Sequence, residues 1–134
     1  IGYRWGYRLV PMISLPLAGL LLLLAVSTSA PYAAVLALMA TFFMVELNEG
    51  PFWAATMRVA RSDTGAATGV LNTGGNFAGM ASAPVIGALS GAGNWNATFM
   101  LGAAFAFVGA ACWLAIDPDR RVATDRRDAP AAAA

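Results

Sequence analysis

Two glutamates stand inside a long apolar stretch, Phe43-Met44-Val45-Glu46-Leu47-Asn48-Glu49-Gly50-Pro51-Phe52-Trp53. A charge at the centre of a bilayer costs about 2.5–3.5 kcal/mol on insertion scales, so a segment that needed only to span would carry leucine there. A glutamate that can take and lose a proton is what proton coupling requires. Glu46 and Glu49 are therefore candidate proton carriers, with Glu49 one turn beyond Glu46 on a neighbouring helix face. A structural reading competes with this one: Glu46 pairs with a basic group outside the chain, and Glu49 reaches water. Gly50-Pro51 follows at once. Proline lacks an N–H and clashes with the preceding turn, so a helix here should kink and leave the Leu47 carbonyl without its donor. Freed carbonyls inside a membrane are tolerated where they face protein or a water-filled cavity.

A second group of polar residues recurs at four-residue spacing: Thr68, Asn72 and Asn76. Amides donate and accept, so they suit the carboxylate and hydroxyl groups of a polar solute, or hydrogen bonds between helices. Gly75, Gly79, Ala83, Gly87 and Gly91 form a second stripe of small residues, which lets another helix approach closely. Gly79 lies only about 20° round the helix from Asn72 by the 3.6-residue period, so the amides should face a packed bundle or a cavity. The chain has no histidine and no lysine, and its single cysteine is Cys112. No phosphate loop, metal-ligand cluster or nucleophile–base pair is present, so neither an enzyme nor a metal or cofactor site is expected.

These residues sit in a chain of 134 residues that is 59% hydrophobic and 11% charged. Soluble domains carry about 25% charged residues, so a bilayer is the expected solvent. A net charge of +1 argues against a nucleic-acid partner. The charges lie mostly at the edges of four apolar segments, 9–27, 32–57, 64–89 and 95–116, each long enough to cross a bilayer. Ser29-Ala30-Pro31 and Ser90-Gly91-Ala92-Gly93-Asn94 mark two breaks, and Arg58, Arg61 and Asp63 mark the polar turn between them. Asp63 is placed to cap the third span. The fold class is an all-α membrane protein with four transmembrane helices, preceded by a loop over 1–8 and followed by a charged, alanine-rich tail over 117–134. Every basic residue falls in one of three regions: Arg4 and Arg8, Arg58 and Arg61, or Arg120, Arg121, Arg126 and Arg127. Four crossings put these regions on one side, and the positive-inside rule makes that side cytoplasmic. Trp5, Tyr7, Trp95 and Trp113 fall near the interfaces, as anchors. The first and fourth spans, with Gly102, Ala106 and Gly109 on the latter, read as scaffold.

Gly50-Pro51-Phe52-Trp53-Ala54 and Thr64-Gly65-Ala66-Ala67-Thr68-Gly69-Val70-Leu71-Asn72-Thr73-Gly74-Gly75-Asn76-Phe77-Ala78-Gly79 resemble helices ten and eleven of major facilitator transporters. The closest likeness is to the anion:cation symporter branch, which carries sugar acids such as galactonate, glucarate and hexuronates. The resemblance implies that the four spans are helices nine to twelve, part of the C-terminal half, with the N-terminal helices of the same protein as partners. It implies a multi-pass protein of the cell inner (plasma) membrane with a cytoplasmic C-terminus. It also implies that Trp53 and Asn72 contact the substrate carboxylate or hydroxyls, with Asn76 one turn further on the same face. Mid-helix acids are not a general feature of the branch, so the coupling role of Glu46 and Glu49 rests on the residues alone. The expected function is secondary active, proton-coupled symport of a small organic anion. No arginine lies inside a span, so the counter-charge for an anion must come from other helices. The alternatives are an exporter of drugs or metabolites, and a small four-helix membrane scaffold.

Overall fold

A computed structural model describes residues 3–117, with side chains from Trp5 onward. The described part is helical: α1 (Tyr3–Ser27), α2 (Pro31–Glu46), α3 (Glu49–Ala60), a single 3-10 turn (Arg61–Asp63), α4 (Thr64–Gly91) and α5 (Trp95–Ala115). Three stretches are long and apolar enough to cross a membrane: Trp5–Ser27, Pro31–Gly91 and Trp95–Ala115. The middle stretch runs to 61 residues and contains α2, α3, the turn and α4. Apart from Asp117, the tail expected over 117–134 lies outside the described residues.

The helix limits follow local chemistry. Thr28-Ser29-Ala30 separates α1 from α2, and Pro31 opens α2, where its missing N–H would have had no helical partner anyway. Gly93, at φ +74°, makes the sharp reversal after α4. Asn94 then caps α5, its side chain accepting from the Ala97 amide at 3.2 Å. Asp63 occupies the equivalent position before α4, but its side chain makes no capping bond. Thr64 Oγ1 instead donates to the Arg61 carbonyl at 2.6 Å, beneath a backbone bent to φ +47° at Arg61. The first helix begins at Tyr3, well before the apolar segment itself, so Arg8 is helical rather than in a loop.

The hub is α1, which packs along α5 and α2. Its contact with α5 is antiparallel and built from small residues. Leu15 meets Gly109, Gly19 meets Ala103 and Phe107, and Leu22 meets Gly102. Ala18 and Ala103 are buried in this seam. In lipid, helices gain no hydrophobic advantage by leaving the acyl chains, so close backbone approach through small residues drives association. A Cβ at Gly19 would lie 3.1 Å from the Phe107 ring and 3.3 Å from the Ala103 carbonyl oxygen. Gly19→Val in the intact protein is therefore expected to cost about 1–3 kcal/mol, the range for overpacking. A thermal-unfolding midpoint in detergent equal to wild type would show that the seam yields instead.

The antiparallel pairing brings charged ends together. Arg8 donates from Nε, at 2.7 Å, and from its terminal nitrogen to the Ile116 carbonyl oxygen at the end of α5. The Arg58 guanidinium lies 5.9 Å from the centre of the Tyr7 ring. The starts of α1, the end of α3 and the end of α5 thus share one end of the bundle.

Candidate functional site

The helix running through Glu46 and Glu49 is interrupted. The last residue of α2 is Glu46, the first of α3 is Glu49, and Leu47-Asn48 lies between them. The Leu47 amide donates to the Phe43 carbonyl at 3.1 Å and the Asn48 amide to the Val45 carbonyl at 3.0 Å, tightening the end of α2. The Asn48 carbonyl accepts from Phe52 at 3.1 Å, starting α3. The irregular turn lies just ahead of Gly50-Pro51, in the turn that the proline was expected to disturb, for a physical reason. Proline disrupts the turn that precedes it, and its own N–H is dispensable in a first helical turn. Starting a new helix at Glu49 places Pro51 in that first turn. Asn48 Oδ1 is buried at the break without a hydrogen-bond partner.

The structure brings two of the expected site residues into contact. Trp53 Nε1 donates to Glu49 Oε2 at 2.7 Å, across one turn of α3. The Phe52 ring meets the Trp53 ring edge-on, with centroids 5.6 Å apart and planes at 81°. Trp53 is half-buried, whereas Glu46 and Glu49 are exposed.

On α4 the polar stripe divides by chemistry. The Thr68 hydroxyl is spent on its own helix, donating to the Thr64 carbonyl at 2.8 Å and to the Gly65 carbonyl at 3.0 Å. Asn72 and Asn76 are exposed. The glycine stripe beside them is open too: beyond the adjacent residues and backbone of α4 itself, nothing lies within 4 Å of where a Cβ would stand at Gly75, Gly79, Gly87 or Gly91. None of the residues of α4 is buried. Among the described residues, no other element packs against this glycine stripe.

A cavity of about 550 Å³ opens between α3, α4 and α5 toward the arginine-bearing end. Phe52, Thr56, Val59, Asp63, Leu71 and Trp113 are among its lining residues. Trp53, Asn72 and Asn76 do not line it. Each of Trp53 and Asn72 is next in sequence to a lining residue, about 100° further round its helix. Trp113 corrects its expected role as an interfacial anchor: only 4% of it is exposed, whereas Trp5 and Trp95 are about half exposed. Its place on the small-residue face of α5, three residues after Ala110, was the available sequence signal for burial.

A helical chain with membrane-length apolar segments, close glycine seams and a polar interrupted helix is a multi-pass membrane protein. Residues 1–133 match the family model of the Major Facilitator Superfamily, and the chain belongs to that family. Among curated proteins it is similar to the probable sulfoacetate transporter SauU of Cupriavidus necator, with 37% identity over 105 residues. That match takes in 76% of this chain and 24% of the relative. Both comparisons point to a transporter rather than an enzyme. No solved structure matches.

Proposed function

We propose that this chain forms helices nine to twelve of a secondary active transporter that moves a small organic anion together with protons by alternating access. Family membership along the chain carries the reading. The relative named for sulfoacetate transport supports the substrate class, because sulfoacetate is a small organic anion, as sugar acids are. Four crossings are the topology we favour: α1, α2 with α3, α4, and α5. The bond from Arg8 to the Ile116 carbonyl supports it, since it holds both ends of the described chain at one end of the bundle. The arginine-bearing end is then cytoplasmic and the membrane is the inner membrane.

In this reading Asn72, Asn76 and Trp53 contact the solute from α4 and α3, and Glu46 carries the proton, with Glu49 beside it. Discontinuous helices near the midplane are a recurring way to build substrate and coupling sites in transporters. The turn between Glu46 and Glu49 is a milder irregularity of that kind: Leu47 and Asn48 keep helical dihedrals, and the backbone hydrogen-bond ladder is locally disturbed ahead of Pro51. The remaining walls of the site, and the positive charge an organic anion needs, come from helices outside this chain.

The test is uptake by the full-length protein in proteoliposomes, with radiolabelled sulfoacetate and a hexonate offered in turn. An inward proton gradient is expected to drive accumulation of at least one of them, and a protonophore to abolish it. Uptake of neither anion above that of empty liposomes would remove the proposal. Efflux of a lipophilic cation in the same vesicles would favour an exporter.

A further inference from the structure

The indole of Trp53 is held by its own helix, and we infer that Glu49 is the positioning residue for that ring. The inference rests on the transport reading only for its functional consequence. An indole has one polar atom, a donor, and a half-buried Trp normally finds it an acceptor. Here the acceptor is Glu49 Oε2 at 2.7 Å, a short contact of the kind a carboxylate makes. The two residues are four apart on α3, so their Cβ atoms stand on one face and the bond needs no long reach. The edge-on Phe52 ring restrains the indole a second time. The carboxylate and the neighbouring ring together favour one orientation of the indole.

The consequence concerns what a solute meets. With Nε1–H taken by Glu49, Trp53 presents its ring face and carbon edge. It recognises the carbon skeleton of a small organic anion, by stacking its C–H groups on the ring. The charged and hydroxyl groups fall to other donors, Asn72 and Asn76 among them. Glu49 then serves the site without touching the solute, and the proton-carrying task rests on Glu46, across the helix break.

Glutamine and leucine at position 49 separate this from proton coupling. Glu49→Gln keeps an acceptor for the indole but has no titratable proton; Glu49→Leu keeps neither. The first readout needs no transport: the indole N–H resonance of Trp53 in the ¹⁵N-labelled full-length protein, identified by its loss in Trp53→Phe. It is expected to stay near its wild-type position in Glu49→Gln and to move upfield in Glu49→Leu. In uptake, Glu49→Leu is expected to raise KM about tenfold, the effect of losing one well-placed hydrogen bond, with little change in Vmax. Glu49→Gln, which keeps an acceptor for the indole, should raise KM clearly less than Glu49→Leu does and still accumulate substrate uphill. In a Trp53→Phe background the Glu49→Leu change should add nothing to KM, which also controls for a folding defect. An indole resonance that ignores Glu49→Leu overturns the inference. So does loss of uphill uptake in Glu49→Gln with KM unchanged, which would make Glu49 a proton carrier. If the wild type moves no organic anion while the resonance still follows residue 49, the positioning role stands and the transport reading falls.

Discussion

Glu46→Gln in the full-length protein is expected to abolish uphill accumulation while leaving exchange of labelled for unlabelled substrate near the wild-type rate. Glutamine matches glutamate in size and keeps its hydrogen-bonding capacity, but has no proton to release near neutral pH. Exchange returns the loaded carrier without releasing its proton, so it tolerates a permanently neutral side chain. Net accumulation needs the proton to bind on one side and leave on the other. A single coupled proton permits about tenfold accumulation for each unit of imposed pH gradient. The variant should stop at equal concentrations on the two sides. Of the two acids, Glu46 is the one the proposed mechanism assigns to the proton. It closes α2 at the break, between the apolar Val45 and Leu47, whereas the Glu49 carboxylate is occupied by the Trp53 indole. Normal uphill uptake in Glu46→Gln, measured with the membrane voltage clamped by potassium and valinomycin, would show that this acid is structural.

The positions of the helix breaks were readable from residue types because they depend on backbone chemistry within a few residues. Ser29-Ala30-Pro31 and Gly93-Asn94 do what proline, glycine and asparagine do anywhere. The irregular turn in the glutamate helix was legible to within a turn, from Pro51 alone. It depends on where the chain can restart a helix so as to spend Pro51 in a first turn, and that selected Leu47-Asn48. Polarity before Leu9 suggests a loop, whereas α1 starts at Tyr3. A helix can continue past an apolar limit when a long side chain such as Arg8 reaches back to a partner, here the Ile116 carbonyl more than a hundred residues away. No local pattern encodes that partner. Burial of Trp113 is a tertiary fact of the same kind. The Trp53–Glu49 bond, by contrast, was open to inspection: a donor and an acceptor four residues apart on one helix.

The amides and glycines of α4 face outward with nothing against them, although a bare glycine stripe and uncovered amides are poor choices for a lipid-facing surface. The match covers 24% of the curated relative, and in the transporter proposed above the polar stripe of α4 forms one wall of the site.

That wall supplies the second large effect. Asn72→Ala is expected to raise KM for the transported anion by about 10- to 100-fold, with Vmax changed little. The range corresponds to about 1.5–3 kcal/mol for a hydrogen bond between a neutral donor and a charged acceptor. Asn72 is exposed on α4, so truncating it removes no packing, and alanine favours the helix. A change in KM can thus be separated from a loss of folded protein by measuring the amount of transporter in the vesicles. The neighbours on the stripe act as internal controls. Thr68→Ala should leave KM nearly unchanged, because that hydroxyl already donates to the Thr64 and Gly65 carbonyls and has no free proton for a solute. Asn76→Ala should fall between the two if the solute lies along the stripe rather than at one point of it. Equal effects at all three positions would point to a general disturbance of α4. An unchanged KM in Asn72→Ala would take the amide out of the binding site and leave it a hydrogen-bonding role between helices, which a drop in thermal stability of the same variant would confirm.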